Sequence, residues 1–290
     1  MKVKVQAPAK INLSLDVLRR RPDGYHDVSM VMQAISLYDY ITVEKTDGGD
    51  IKIFCDYEGV PCNEKNIAYK AAEAFFSYTK TENPGISVTI EKNIPTQAGL
   101  AGGSADGAAV ILALNKLFSA HLKEDEMCEI GAKIGADVPF CIVGGTRLAS
   151  GTGTSLKKLI SIPKCRFVVC KPDFSVSTAE AYARIDSAGL SHPEFTSETV
   201  KAIYARDIYM LASSMLNDFE LALKLDGIND VKRIMLKNKA LGACMSGSGS
   251  AVFALFNSDK KAEKCAEALR GEYKSVFICE PVKTGCTVIE

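Results

Sequence analysis

The glycine-rich stretch PTQAGLAGGSAD, residues 95–106, carries the clearest chemical signal in the sequence. It packs three glycines and three alanines into twelve positions, and the apolar run AAVILALNKLF follows one residue later. Glycine lets the backbone approach a ligand closely, and the free amides at the start of a helix bind anions. Because the stretch lies between a predicted strand, GISVTIEKNI, and a helix predicted from about Ser104 to Phe118, it predicts a phosphate-binding loop.

The predicted helix explains how a loop of such flexible composition can be held in place. Its residues are apolar nearly all round, so the helix is expected to be buried with the positive end of its dipole at the loop. Ser104 is expected to cap the helix and to touch a phosphate oxygen. The common motifs GxGxxG and GxxxxGK followed by Ser or Thr are absent, and a glycine-rich turn that only packs against the sheet remains the alternative.

The rest of the chain predicts an α+β fold, with a hairpin-rich sheet and helices gathered rather than strictly alternating with strands. KVKVQA, INLSLDVLRR and VSMVMQAISLYDYITVEKT alternate as strands do, and a Pro-Asp-Gly turn precedes the last of them. RFVVCK, CMSGSGSAVFALF and SVFICEPVK predict strands of a second half, which begins after a boundary near Ile160–Lys164. Helices are predicted near Asn66–Tyr78, Lys123–Ile134, Thr178–Ser187, Glu198–Ala205, Asn217–Leu225, Asp230–Lys239 and Asp259–Arg270.

Composition and charge argue against several classes of function. Lys+Arg and Asp+Glu both number 35, so nucleic-acid binding, which usually needs a basic excess, is not expected. The N-terminus has no apolar signal region and no segment approaches a membrane-spanning length, so a cytoplasmic protein without a membrane partner is expected. Ten irregularly spaced cysteines without a CxxC motif favour buried free thiols over a disulfide or zinc framework.

Three sequence blocks resemble, in content and order, the motifs of the GHMP kinase superfamily: PAKINL, GLAGGSADGAA and ACMSGSGSAVFALF. The blocks PAKINLSLDVLRRRPDGYHDV, GADVP and MSGSGS are similar to the branch of that superfamily whose substrate carries a cytidine diphosphate. The resemblance spans essentially the whole chain. It implies an N-terminal ribosomal-protein-S5-like domain at 1–160, a C-terminal ferredoxin-like α+β domain at 161–290, and an active site in the cleft between them.

The resemblance also implies an activity and the residues that perform it. The expected reaction is ATP-dependent phosphorylation of the 2-hydroxyl of a methylerythritol unit linked to cytidine diphosphate, in the non-mevalonate route to isoprenoid precursors. Asp137 in GADVP matches the catalytic base, with a simple helix cap as the alternative, and Lys10 in PAKINL matches its charged partner. Asn12 lies two residues after Lys10, hence on the same strand face, and is expected to hydrogen-bond the substrate or the pair.

ATP is the cofactor that the resemblance implies. Asn66 and Lys92 match positions that line the adenine site, with a helix cap and a solvated lysine as the alternatives. ATP implies Mg²⁺, for which Ser104 is the one candidate ligand and no carboxylate cluster is evident. The residues assigned to the ATP phosphates are Pro95, Thr96, Gln97, Ala98, Gly99, Leu100, Ala101, Gly102, Gly103, Ser104 and Ala105.

Two positions of this region depart from the family pattern. Ala101 stands where glycine is common, and Gly107 stands where alanine is common. The methyl group of Ala101 is expected to be accepted only if the φ angle at this residue is negative. The departures therefore concern the geometry of the loop rather than its assignment to phosphate.

The cytidine end of the substrate is assigned by resemblance to an aromatic segment. Tyr25 and His26 match residues that stack on the cytosine ring and read its edge, respectively. Tyr182 matches the opposite side of that sandwich, with a core aromatic as the alternative. Met32 stands where the family often has another aromatic residue, and Ser246–Ser250 matches a loop that faces the active site.

Two other functions remain open at the level of sequence. A GHMP kinase acting on homoserine or mevalonate would share the fold, but it would have no cytosine for Tyr25 and His26 to hold. A nucleotide-binding sensor of the same fold would be expected to lose Lys10 or Asp137, and both are present. The sequence does not distinguish a monomer from a homodimer.

Overall fold

The structure is a computed structural model that describes residues 1–189 and 194–290. Within these residues the strands form two sheets. The first sheet has seven strands in the order β11-β1-β2-β4-β3, with β5 also paired to β2 and β6 paired to β5. Its strands are β1 (Lys2–Arg20), β2 (His26–Lys45), β3 (Ile51–Cys55), β4 (Ile86–Glu91), β5 (Thr146–Gly151), β6 (Ser155–Lys158) and β11 (Thr287–Val288).

The long antiparallel pair of β1 and β2 is the frame of the first sheet. The segments KVKVQA and INLSLDVLRR, predicted as two strands, form one continuous strand of 19 residues. Register shifts between Pro8 and Ala9 and between Asn12 and Ser14 interrupt the ladder, as β-bulges do. Because no shift falls between Lys10 and Asn12, both side chains lie on the same face of β1.

The second sheet has the order β10-β7-β9-β8. Its strands are β7 (Arg166–Lys171), β8 (Gly242–Met245), β9 (Val252–Phe256) and β10 (Ser275–Cys279). The boundary predicted at residue 160 falls between β6 and β7, in the connection between the two sheets. The end of the chain nevertheless returns to the first sheet, where β11 pairs with β1 at Val5 and Gln6. Residues 287–288 therefore belong with the first sheet in space.

The helices confirm the predicted α+β class, with local differences from the sequence prediction. The first helix, α1, connects β3 to β4, and these two strands pair in parallel, an arrangement that the sequence did not predict. The short helices α4 and α7 were also not predicted. The helices are α1 (Ile67–Thr79), α2 (Gly102–Leu117), α3 (Glu124–Ala132), α4 (Val138–Val143), α5 (Thr178–Ala188), α6 (Phe195–Ala205), α7 (Ile208–Ser214), α8 (Asp218–Leu223), α9 (Asp226–Lys237) and α10 (Asp259–Arg270).

Helix α2 is buried, as its apolar composition predicts. It packs against α1, α4 and β1 and places Val110, Ile111 and Leu114 in the core. Helix α1 approaches α2 closely at Gly107, where an added Cβ atom would lie 2.7 Å from Ile67 Cγ2. Alanine at this position would therefore clash with Ile67 in this chain.

The cysteines are free and mostly buried. Seven of the ten lie in the interior, where they pack as small apolar side chains. Burial raises the pKa of Cys170 to about 12, so this thiol stays protonated at neutral pH. None of the helices in the described part of the chain is long and apolar enough to cross a bilayer.

Candidate active site

A cleft of about 1480 Å³ lies between the two halves of the chain. The residues predicted to bind ligands line this cleft with one exception, Ala105, which is fully buried behind the loop. Met32 is also buried in the core, and Met30 contributes to the wall instead. The first half contributes β1, the glycine-rich loop and the start of α4, and the second half contributes α5 and the Ser246–Ser250 loop.

Lys10 and Asp137 come together in the cleft. The ammonium group of Lys10 lies 3.5 Å from Asp137 Oδ2 and donates a hydrogen bond of 2.7 Å to Asn12 Oδ1. Lys10 is 4% exposed, whereas the Asp137 side chain is 30% exposed and lines the cleft. Asp137 precedes α4 but makes no side-chain cap hydrogen bond, so capping does not explain its position. A buried cation beside a partly accessible carboxylate is suited to positioning a hydroxyl group and receiving its proton.

The glycine-rich loop leads into α2 earlier than the sequence predicts. The helix begins at Gly102 because the carbonyl of Ala101 accepts the Ala105 amide hydrogen bond at 2.8 Å. Ser104 is therefore the third residue of the helix and not its cap. Ala101 occupies the cap position in the left-handed region, with φ at 59°, so the expectation of a negative φ is wrong. A left-handed conformation costs an alanine about 1–2 kcal/mol relative to a right-handed one.

Replacing Ala101 by glycine tests this strain. We expect Ala101→Gly to raise the free energy of unfolding by up to about 1 kcal/mol, because relief of the left-handed strain exceeds the added flexibility of the unfolded chain. Ala98→Gly is the matched control, since Ala98 lies in the same loop, is buried and lacks a positive φ. That control should lower stability by about 1 kcal/mol. Urea unfolding measures both, and a loss of stability in Ala101→Gly would contradict the strain.

The Ser246–Ser250 loop lies directly against the glycine-rich loop. Ser246 Oγ donates to the carbonyl of Gly99 at 2.9 Å, and the amide of Ala251 donates to the carbonyl of Ala98 at 3.0 Å. A Cβ atom on Gly247 would lie 3.3 Å from Lys10 Nζ. The two halves of the chain thus meet beside the lysine.

Lys92 lies beneath the first turn of α2 in a buried network of charges. Its ammonium group lies 2.5 Å from Asp39 Oδ2 and 2.6 Å from Asp106 Oδ2, and its side chain is 2% exposed. The interpretation of Lys92 as a solvated lysine is therefore wrong. Asp39 Oδ1 accepts the amide hydrogens of Asn93 and Ile94, so the network joins the segment before the loop to the helix after it.

The surroundings of this network raise the pKa of two of its members, Asp106 and Lys92. Burial raises the pKa of Asp106 from 3.8 to about 8, against the opposing attraction of Lys92, and Asp106 Oδ1 has no hydrogen-bond partner among the described residues. Burial alone would lower the pKa of Lys92, but the charges of Asp106 and Asp39 outweigh it and raise the pKa. Lys92 therefore stays charged at neutral pH, beside a buried carboxyl group, that of Asp106, whose pKa is raised.

This shift predicts how stability depends on pH. Between the unfolded pKa of 3.8 and the folded pKa of about 8, the folded state holds a proton on Asp106 that the unfolded state has lost. Stability contributed by Asp106 is therefore highest in acid and falls as pH rises through this window. We expect the melting temperature of Asp106→Asn to fall less than that of the wild type between about pH 5 and about pH 8.5. Parallel pH profiles of the two proteins would contradict the raised pKa.

Asn66 lines the cleft but is already engaged in a helix cap. Its Oδ1 accepts the amide of Ala68 at 2.8 Å at the start of α1, and its Nδ2 donates to the carbonyl of Pro61 at 2.7 Å. The capping alternative is therefore present in the structure. A role at the adenine ring would use the remaining hydrogen of the amide group and stays a prediction.

The aromatic segment lies at the other end of the cleft. Tyr25 is 69% exposed, whereas His26 is 8% exposed and stacks on Tyr182 with ring centroids 4.6 Å apart. Two charged residues that the sequence analysis did not select also line this end, Arg20 and Asp186. Arg20 lies within the block PAKINLSLDVLRRRPDGYHDV but was given no role, whereas Asp186 lies in no motif, and only the folded chain brings it to His26.

The side chains that line the cleft indicate which kind of metal ion it could bind. Among the residues with described positions, no group of three or more His, Cys, Asp or Glu side chains could hold one. Ser104 presents its hydroxyl group in the first turn of α2, and Asp137 lines the same cleft. This set fits a cation that keeps most of its ligands as water and phosphate oxygens, as Mg²⁺ does.

Comparison with protein families and curated relatives gives matches along most of the chain. The family model described as "GHMP kinases N terminal domain" matches residues 66–145, and "GHMP kinases C terminal" matches residues 199–275. A 4-diphosphocytidyl-2-C-methyl-D-erythritol kinase of Clostridium acetobutylicum is 43% identical over 97% of this chain and 100% of its own.

Two solved structures superpose on this chain along most of its length. A crystal structure of 4-(cytidine 5'-diphospho)-2C-methyl-D-erythritol kinase superposes with a TM-score of 0.80 at 30% identity, covering 97% of this chain and 99% of that one. A homoserine kinase of Cytophaga hutchinsonii has a TM-score of 0.78 at 22% identity, covering 99% and 97%, and this likeness shows the fold alone. The chain is therefore an ATP-dependent kinase of the GHMP superfamily and belongs, within it, to the 4-diphosphocytidyl-2-C-methyl-D-erythritol kinase family.

Proposed function

We propose that this chain transfers the γ-phosphoryl group of ATP to the 2-hydroxyl of 4-diphosphocytidyl-2-C-methyl-D-erythritol, a step in non-mevalonate synthesis of isoprenoid precursors. The observation that carries the proposal is the Lys10–Asp137 pair, 3.5 Å apart, in a cleft that also contains the glycine-rich loop and His26. The relative named above, which this chain matches over its whole length, bears the name of that activity.

The glycine-rich loop is the proposed site of the ATP phosphates. The amides at the start of α2 and the positive end of its dipole would hold the negative charge of the phosphates. The cap at Asn66 and the network of Lys92 fix the walls on which the adenine would rest. Bound Mg²⁺ would neutralise charge on the β- and γ-phosphates, with Ser104 as its one side-chain ligand.

Asp137 and Lys10 are the proposed catalytic groups. In the transition state of phosphoryl transfer the phosphoryl group is loosely bonded, so the hydroxyl proton becomes acidic only late in the reaction. Asp137 would accept that proton as the new O–P bond forms. Lys10 would orient the carboxylate and stabilise negative charge on the transferring group, and Asn12 holds the lysine through its 2.7 Å hydrogen bond.

The aromatic end of the cleft is the proposed site of the cytosine ring. The exposed ring of Tyr25 offers a face for stacking, which is worth about 1–3 kcal/mol per base. Tyr182 packs on His26 in this structure, so it supports the histidine and forms the wall behind it. This arrangement gives the substrate a base site separate from the adenine site beside Asn66.

A coupled assay of ADP release tests the proposal. The enzyme would be supplied with ATP and, in parallel, with 4-diphosphocytidyl-2-C-methyl-D-erythritol, mevalonate or homoserine. We expect turnover with the first alcohol only. Faster turnover of mevalonate or homoserine would assign the chain to another GHMP kinase activity. ATP binding without ADP release from any of the three would favour a nucleotide sensor.

A further inference from the structure

His26 is held from two directions. Its imidazole ring stacks on Tyr182 at an interplanar angle of 17°, and Tyr182 in turn meets Phe219 edge-on at 4.9 Å. Nε2 of His26 lies 2.7 Å from Oδ1 of Asp186, on helix α5. The stacking fixes the plane of the ring, and the hydrogen bond fixes its rotation about the χ2 bond.

Asp186 faces one nitrogen of the His26 ring, Nε2. An ionised carboxylate only accepts hydrogen bonds, so Nε2 of His26 is the donor in this contact. Arg20 Nη1 lies 3.5 Å from the second oxygen of Asp186, an arrangement that suits the ionised carboxylate. In a neutral imidazole with a proton on Nε2, Nδ1 is a hydrogen-bond acceptor.

Nδ1 is the nitrogen left for a ligand. The structure shows no hydrogen bond to Nδ1 among the residues that it describes. Nδ1 also does not belong to the buried polar atoms that lack a partner, so it is not fully buried. It is therefore accessible, on a residue that lines the cleft and is otherwise only 8% exposed. A neutral His26 ring with its proton on Nε2 thus presents one fixed acceptor to whatever base enters this end of the cleft.

We propose that Asp186 is a positioning residue that sets base specificity, because it makes Nδ1 of His26 an acceptor that selects cytosine over uracil. Cytosine carries an exocyclic amino donor where uracil carries a carbonyl acceptor. An acceptor in the protein pairs with the amino group and opposes the carbonyl lone pairs, which excludes the wrong base as well as binding the right one. The inference rests on the proposed function, since it requires a pyrimidine base beside His26.

Kinetics with two substrates test the specificity. We would measure kcat/KM for 4-diphosphocytidyl-2-C-methyl-D-erythritol and its uridine counterpart in the wild type, Asp186→Asn and Asp186→Ala. The wild type is expected to prefer the cytidine substrate by roughly 10- to 100-fold. In both variants the ring can present a protonated Nδ1, so the preference should fall by about 10-fold while KM for ATP stays unchanged.

A matched control separates this effect from a general loss of charge. Asp230 is exposed on α9, where it pairs with Arg233, so Asp230→Asn makes the same chemical change away from the cleft. It should keep the wild-type preference for cytidine. Unchanged preference in both Asp186 variants would overturn the proposal.

The protonation of the ring can be read without turnover. The chain has three histidines, so the nitrogen-15 signals of His26 can be assigned by comparison with His26→Gln. We expect a protonated Nε2 and a bare Nδ1 in the wild type, and a mixture of both neutral forms in Asp186→Ala. A proton on Nδ1 in the wild type would overturn the proposal. If the wild type phosphorylates neither nucleotide substrate, the proposed function fails, and this spectrum still decides the role of Asp186.

Discussion

Asp137→Asn is expected to lower kcat by about 10²- to 10⁴-fold, the usual contribution of a positioned base, while KM for both substrates changes little. Asparagine keeps the size of the side chain and its place before α4 but cannot accept the hydroxyl proton. The loss should therefore fall on the chemical step and not on binding. Single-turnover measurement of phosphoryl transfer, with ATP and alcohol affinities measured separately, distinguishes the two.

The partner of Asp137 supplies the control for this prediction. Lys10→Met removes the cation whose Nζ lies 3.5 Å from Asp137 Oδ2, and a donor of this kind is worth about 10²- to 10³-fold in rate. If the two residues act as a unit, the double variant should be hardly slower than the slower single variant. Fully additive losses would mean that Lys10 acts independently of the carboxylate. A near-normal rate in Asp137→Asn would remove Asp137 from the mechanism.

The features that the sequence could predict depend on local pattern. The apolar composition of α2 predicts its burial whatever the topology, because such a helix has no polar face to present to water. The alternation of β1 places Lys10 and Asn12 on one face, and the absence of a bulge between them preserves that relationship. The motifs then assign the roles of Lys10 and Asp137, although no pattern in the residues predicts their 3.5 Å separation.

The features that escaped prediction depend on contacts between distant parts of the chain. Serine preference placed the start of α2 at Ser104, whereas Ala101 adopts the left-handed region and the helix begins at Gly102, in a loop whose Gly99 carbonyl is held by Ser246. Asp186 occupies an ordinary polar position on an amphipathic helix, and its partner is 160 residues away in sequence. Propensity describes one residue and its neighbours, so it carries no information on such pairs.

Gly99→Ala is expected to have the second large effect, because it disturbs the contact between the two halves beside the proposed catalytic pair. The added Cβ atom would lie 2.0 Å from the carbonyl oxygen of Ser246, and φ at this position is +72°. Left-handed strain costs about 1–2 kcal/mol and overpacking about 1–3 kcal/mol, so the free energy of unfolding should fall by about 2–5 kcal/mol. Both atoms in the clash belong to loops of the cleft, and a shift of about 1 Å there should lower kcat/KM by about 10²-fold.

Gly103→Ala separates this packing effect from the general loss of a glycine. Its Cβ atom would meet only Ile67 Cδ1, at 3.4 Å, and Gly103 has no positive φ, so the stability of this variant should change little. Gly103 nevertheless lies in the first turn of α2, where the phosphates are proposed to bind. Its KM for ATP should therefore rise if the phosphates approach that backbone closely, with thermal unfolding unchanged. Wild-type stability in Gly99→Ala would mean that the two loops are not in contact in solution, and the assembly of the cleft from both halves would then have to be abandoned.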